Sequence, residues 1–158
     1  MVKKFSLTLF LCLLVFSSCE NETASPDTNT MLFGSFSGHC FGNCFTAFEL
    51  DSTSVKSDDN EGHFTFDRYE FQSSRTLNMN AFSDAKSIFN SFPDEFNNTD
   101  KERFGCPDCA DQGGFFIIFQ IDGQRKMVLL DTKDTDDQST EILAFKERLY
   151  DFIQEYKN

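Results

Sequence analysis

Four cysteines in the body of the chain are the residues best suited to chemistry. They form two close pairs, Cys40 with Cys44 and Cys106 with Cys109. In an exported domain, an even number of thiols points first to disulfide bonds. A bridge between the two pairs would close a loop of about 60–70 residues and stabilise the fold by on the order of 4 kcal/mol, whereas a bridge within a pair would add little. The sequence predicts structural disulfides and leaves all three pairings open.

Two other uses of the same thiols stay open. The four thiolates have paired short spacings that suit tetrahedral zinc, and His39 could replace one of them. The segment Cys106–Cys109, with Pro and Asp between the cysteines, resembles the redox motif of thioredoxin-type proteins, in which a helix N-terminus lowers the pKa of the first thiol. Here a glycine-containing loop and a predicted strand follow the motif, so that helix is not expected. Haem attachment is excluded because neither pair is followed directly by histidine.

No catalytic residue is predicted. His39 and His63 are the only imidazoles, and neither lies beside a nucleophile motif. The chain contains neither Gly-x-Ser-x-Gly nor His-Glu-x-x-His, which mark hydrolase and metalloprotease sites. We therefore expect a protein that is not an enzyme and that carries no cofactor.

The amino terminus has the pattern of a secretory signal peptide. Lys3 and Lys4 supply a positive start, Phe5–Phe16 is a largely apolar run, and two serines precede Cys19. The run is too short to span a bilayer, which needs about 20 apolar residues. We predict that residues 1–18 are a signal peptide and that the protein is exported.

The residues Phe16-Ser17-Ser18-Cys19 resemble the lipobox of bacterial lipoproteins, and Glu20 and Glu22 resemble the surface-export context of lipoproteins from the Bacteroidota. This resemblance implies that Cys19 becomes a lipidated first residue carrying palmitate. It also implies a location in the cell envelope, lipid-anchored to a bacterial membrane and expected to be the outer one. The rest of the chain resembles small Bacteroidota lipoprotein domains that have a cysteine-containing loop before a C-terminal hairpin and helix, a resemblance that implies no activity.

The charge of the exported part excludes nucleic acid as a partner. Loss of residues 1–18 removes two lysines and no acidic residue, so 14 basic and 26 acidic residues become 12 and 26, and the net charge falls from −12 to −14. Such a surface repels phosphate backbones and anionic lipids. Contact with the membrane is therefore expected through the lipid, and a protein or small-molecule partner is left undefined.

Composition and patterning divide the exported part into a tether, residues 19–30, and one globular domain, residues 31–158. Alternating or continuous apolar residues predict five strands at 31–36, 45–50, 63–71, 115–121 and 125–130. The last two strands flank Asp122-Gly123, a pair typical of a tight hairpin turn because glycine accepts positive φ.

Helical periodicity predicts two helices. Their apolar stripes are Phe82, Ala85, Phe89 and Phe92 in the first, and Ile142, Phe145, Leu149, Phe152, Ile153 and Tyr156 in the second. Asn80 or Ser83 is the expected N-cap of the first helix, and Ser139 or Thr140 starts the second. The sequence thus predicts an α+β fold with a mostly antiparallel sheet of about five strands and two helices packed on one face.

Overall fold

The computed structural model describes residues 30–38, 44–58, 69, 71–121 and 124–157, which form an α+β fold. The strands are β1 (Met31–Phe36), β2 (Phe45–Leu50), β3 (Val55–Asp58), β4 (Ser73–Thr76), β5 (Arg103–Phe104), β6 (Gly114–Ile121) and β7 (Gln124–Asp131). The helices are α1 (Met79–Asn90), α2 (Asp94–Asn98) and α3 (Thr140–Tyr156).

In the part of the chain that the structure describes, the sheet has seven strands in the order β4-β3-β2-β1-β6-β7-β5, so the prediction of five strands was too low. Five of the six pairings are antiparallel, and β5 pairs with β7 in parallel, which makes the sheet mixed. The strands β3, β4 and β5 have two to four residues each, too few for an alternating pattern to stand out.

Four of the five predicted strands are confirmed among the described residues. β1 and β2 have the predicted bounds, and β6 and β7 form the predicted antiparallel hairpin with slightly longer strands. The turn residues Asp122 and Gly123 lie outside the described residues, as does most of the segment predicted as a strand over 63–71.

Alternation along the strands divides the core into two clusters, one on each face of the sheet. All three helices pack on one of these faces. Six phenylalanines there form what we call the aromatic layer: Phe33, Phe48, Phe92, Phe96, Phe145 and Phe152. The rings of Phe33 and Phe48 have centroids 5.3 and 5.1 Å from that of Phe152, within the range of favourable aromatic contacts. On the opposite face, Phe45 stacks on Phe116 at 5.4 Å.

The start of α3 is confirmed and that of α1 was wrong. The Ser139 side chain accepts a hydrogen bond from the backbone N–H of Ile142, which caps α3. In α1 the cap is Asn78, whose side chain accepts from the backbone N–H of Ala81 at 3.0 Å, so neither Asn80 nor Ser83 has that role.

Helix α1 bears out its predicted apolar stripe at Ala85, which is buried, and at Phe82, which packs against the core, but not at Phe89. Its fully buried residues are Ala81, Ala85 and Ile88, while Phe89 is 38% exposed. Phe92 follows the helix and packs into the aromatic layer from the connection to α2. Helix α2 was not predicted from the sequence, because five residues are too few to show helical periodicity.

The two ends of the sheet differ in what they carry. At one end, which we call the Met31 end, Met31 pairs with Leu50 and Leu50 pairs with Val55. At the other, which we call the cysteine end, Phe36 pairs with Gly114, and Gly114 pairs with Asp131. A six-residue strand separates the two ends by roughly 17–20 Å.

Among the residues that the structure describes, no helix combines the length and the apolar composition needed to cross a bilayer.

Candidate functional site

The segment from Gly105 to Gly113, which we call the cysteine loop, connects β5 to β6 at the cysteine end of the sheet. Within it, Cys106 and Cys109 form a disulfide with a Cα–Cα distance of 5.4 Å. The backbone N–H of Cys109 donates to the carbonyl of Cys106 at 3.1 Å, and this tight turn brings the two side chains within bridging range. The sequence left open whether these cysteines bridge each other or the 40/44 cysteines, and in the structure they bridge each other.

The second predicted pair is described in part. Cys44 is also a disulfide cysteine, and its partner lies outside the described residues, as do His39 and Cys40. Cys44 immediately precedes β2, and its carbonyl accepts from the backbone N–H of Ser37 at 2.9 Å. This contact fixes Cys44 beside the end of β1, at the same end of the sheet as the cysteine loop.

Asp108, between the two bridged cysteines, ties the cysteine loop to the end of β1. Its Oδ2 accepts from the backbone N–H of Gly38 at 2.8 Å, and its Oδ1 accepts from that of Gly113 at 3.0 Å. Its own N–H donates to the Gly113 carbonyl at 2.9 Å. Asp108 adopts a positive φ of 61°, a conformation that Asp tolerates better than most residues. The structure thereby brings the two cysteine-bearing regions of the sequence together.

Asp131 anchors the first half of the cysteine loop to the end of β7. This carboxylate is 3% exposed and accepts from the backbone N–H of Cys106 at 2.9 Å, from that of Lys133 at 2.9 Å and from the Gln112 amide at 3.3 Å. Burial alone would raise the pKa of Asp131, but these hydrogen bonds to the ionised form outweigh it and lower the pKa below its usual range.

A further carboxylate, that of Asp137, binds the backbone at the start of the cysteine loop. It accepts from the backbone N–H of Gly105 at 2.9 Å, from the Lys101 ammonium at 2.9 Å and from the Thr135 hydroxyl at 2.5 Å. The backbone hydrogen bond from Gly105 is the main reason why the pKa of Asp137 lies far below its ordinary value. The end of β7, with Asp131, and the acidic stretch after it, with Asp137, therefore each supply one brace for the cysteine loop.

The chemistry open to the two sulfurs follows from their surroundings. Both cysteines are exposed, so a thiol reagent can reach the bridge. While the bridge is intact neither sulfur is a thiolate, so the four-cysteine zinc set would require its reduction. Residues 107–110 form a turn, and β6 follows the loop where a thioredoxin-type motif would have a helix.

The described residues contain no group of three or more His, Cys, Asp or Glu side chains arranged to hold a metal ion.

Sequence reasoning identified the cysteines of this site but missed the three carboxylates that hold them. Asp108, Asp131 and Asp137 belong to 26 acidic residues, and composition alone gives no reason to select them. Only Asp108 had a recognisable local signal. It lies in a four-residue cysteine turn with glycines close behind it, which is typical of a side chain that accepts hydrogen bonds from the neighbouring backbone.

Comparisons with known proteins add no family to this description. Models of protein families, curated proteins and solved structures yield no match to the chain. The role of the site therefore has to be argued from its geometry and charge.

Proposed function

We propose that this protein is a lipoprotein of the bacterial cell envelope, anchored through Cys19, whose exported domain is a disulfide-stapled, non-catalytic binding or structural module. The observation that carries the proposal is the Cys106–Cys109 bridge, together with the signal-peptide pattern of residues 1–18. Disulfides form and persist in exported proteins and are rare in the cytosol. The bridge and the amino terminus are thus two independent features that support the same compartment.

The contacts of the cysteine loop support a structural role for it. Both carboxylate oxygens of Asp108 accept backbone N–H groups, and Asp131 accepts three hydrogen bonds. A carboxylate that acts as a general base must reach a proton of the substrate. These carboxylates are instead engaged with the chain itself, which favours a braced surface over a reacting one.

The anchor is tested by metabolic labelling with palmitate, comparing the natural protein with Cys19→Ala and with Cys12→Ala as the matched control. Cys12 lies within the apolar run of the signal peptide, so its loss removes a thiol without touching the attachment residue. We expect label and membrane association for the natural protein and for Cys12→Ala, and no label for Cys19→Ala. An unlabelled natural protein recovered unprocessed from the cytosol would refute the anchor.

A second candidate function, thiol exchange with a redox partner, is favoured by the exposure of both sulfurs in a Cys-x-x-Cys turn. The two functions are separated by equilibrating the protein with glutathione buffers of graded potential, alkylating free thiols and locating them by mass spectrometry. A structural bridge stays oxidised across about −180 to −270 mV, the range of catalytic dithiols. Half-reduction of Cys106–Cys109 within that range would establish the redox function instead, and stoichiometric zinc uptake by the reduced protein would establish the metal-binding one.

A further inference from the structure

A groove of about 580 Å³ opens at the cysteine end of the domain, on the helix face of the sheet. Its apolar surface comes from Phe115 at the start of β6 and from Leu143, Ala144 and Tyr150 on α3. The Tyr150 side chain is 50% exposed and its ring meets that of Phe115 edge-on, with centroids 6.4 Å apart. An exposed aromatic ring beside an apolar recess is a common feature of binding surfaces.

Among the described residues that line this groove, the one cation, Lys146, is already fully engaged. Lys146 is 6% exposed, and its Nζ donates to the Lys133 carbonyl at 2.9 Å, to Asp134 Oδ1 at 2.8 Å and to Gln138 Oε1 at 2.7 Å. An ammonium has three N–H donors, so none remains for a ligand. Lys146 therefore shapes the wall of the groove and has no N–H donor free for an occupant, and its charge is balanced by Asp134.

Since Asp134 and Lys146 balance each other, the charge that remains at the lip of the groove is that of Glu147, which is negative. Glu147 is exposed and makes no ion pair with any residue that the structure describes, and the Asp134 side chain is 77% exposed, with only Oδ1 bound to Lys146. The whole chain has a net charge of −12, which adds a negative background. An occupant that matches both properties has an apolar group for the recess and a positive charge for the lip.

We propose that this groove docks a peptide segment of a partner protein in which an aromatic or large aliphatic side chain stands next to Arg or Lys. The volume falls within the range of about 300–1,000 Å³ that is typical of ligand sites. The groove lies at the end of the sheet opposite Met31, where the described chain begins. Its position facing away from the membrane rests on the proposed function, in which the chain is anchored through Cys19. Its affinity for such a segment does not depend on that anchor.

The proposal is tested with the peptide acetyl-Ala-Trp-Arg-Lys-Ala-amide. The chain contains no tryptophan, so Trp emission reports on the peptide alone. The natural protein is titrated in nanodiscs of neutral phospholipid, with empty nanodiscs as the blank, and Cys19→Ala is titrated in parallel so that loss of acylation does not remove the readout. We expect a saturable blue shift of the emission. The matched peptide with Glu-Glu in place of Arg-Lys should bind at least about tenfold more weakly.

Variants locate the binding. Ala144→Arg fills the recess with a bulky cation, and we expect at least about a tenfold loss of affinity, whereas Ser83→Arg makes the same charge change on an exposed position of α1 and should bind normally. Because Ala144→Arg could perturb folding, Glu147→Lys reverses the exposed lip charge alone and should also weaken binding. Equal binding of the acidic peptide, unchanged binding by Glu147→Lys or equally tight binding of tryptamine would each overturn the proposal.

Discussion

The aromatic layer and the cysteine loop are held together by different forces. In the aromatic layer, buried rings of Phe33, Phe48, Phe145 and other phenylalanines pack between sheet and helices. In the cysteine loop, carboxylates, backbone N–H groups and a disulfide connect segments that bury little apolar surface. The first depends on burial and packing density, and the second on ionisation and oxidation.

The two regions should therefore respond to different perturbations. Loss of apolar volume should weaken the whole domain, because the aromatic layer contacts strands and all three helices. Acid or a reductant should act first on the cysteine loop, whose residues lie at one end of the sheet.

Phe145→Ala should destabilise the domain most. Phe145 is fully buried in α3, with ring centroids 5.7 Å from Phe92 and 5.8 Å from Phe96, so its truncation leaves a cavity. We expect the free energy of unfolding to fall by about 3–5 kcal/mol in urea denaturation. Phe89→Ala is the matched control, since Phe89 is 38% exposed and its truncation should have a much smaller effect. Equal losses for the two variants would refute the burial argument.

Asp108→Ala should have the largest effect of any single carboxylate replacement in the cysteine loop. It removes the acceptors of the Gly38 and Gly113 N–H groups and places Ala at a positive φ. We expect a loss of about 2 kcal/mol in the free energy of unfolding, with faster amide hydrogen exchange at both glycines. Asp136→Ala, an exposed acidic position in the nearby β7–α3 connection, is the control and should leave both measurements unchanged.

Replacing both Cys106 and Cys109 by Ser should weaken the domain less. The bridge spans a sequence separation of 3, so in chain-entropy terms it restricts the unfolded chain only slightly. We expect a loss of about 1–2 kcal/mol, with the near-ultraviolet circular dichroism of the aromatic layer retained. Collapse of that signal in the double variant would mean that the bridge supports the whole domain and that the two regions are not separable.

Acid should loosen the cysteine loop through Asp131 and Asp137. The pKa of each is lowered in the folded protein from an ordinary value of 3.8, so their contribution to stability is present above about pH 4 and is lost as the pH falls through the folded-state values. Stability measured by denaturant unfolding should therefore decline below pH 4. Asp131→Asn should make this decline shallower, and an unchanged slope would contradict the role given to Asp131.

The parts of the fold that the sequence predicts are those with long, regular signals. The bounds of β1 and β2, the β6–β7 hairpin and the Ser139 cap each follow from alternation, helical periodicity or capping chemistry. The short strands β3, β4 and β5 form because neighbouring strands offer them hydrogen bonds, and that information is not local. Of the stripe predicted for the first helix, Ala85 is buried and Phe82 and Phe92 pack against the core, and Phe89 alone was wrong.

For the candidate site, the residue types were predictable and their connections were not. The cysteines stand out by chemistry, but the choice among three pairings depends on which segments the sheet brings together. Asp131 becomes a brace only because β7 ends beside the cysteine loop, and Asp108 only because Gly38 lies within reach. Both are consequences of the strand order, which the sequence does not display.

The short pairing of β5 with β7 affects how copies of the protein contact one another at high concentration. β5 covers only Leu129 and Leu130, so among the described residues no strand pairs with the first half of β7 on the edge away from β6. That uncovered stretch carries Arg125 and Lys126, two of the 14 basic residues of an acidic chain. Cations on a sheet margin repel the same margin of another copy and hinder intermolecular ladders. This repulsion would keep neighbouring copies from joining edge to edge into one continuous β-sheet.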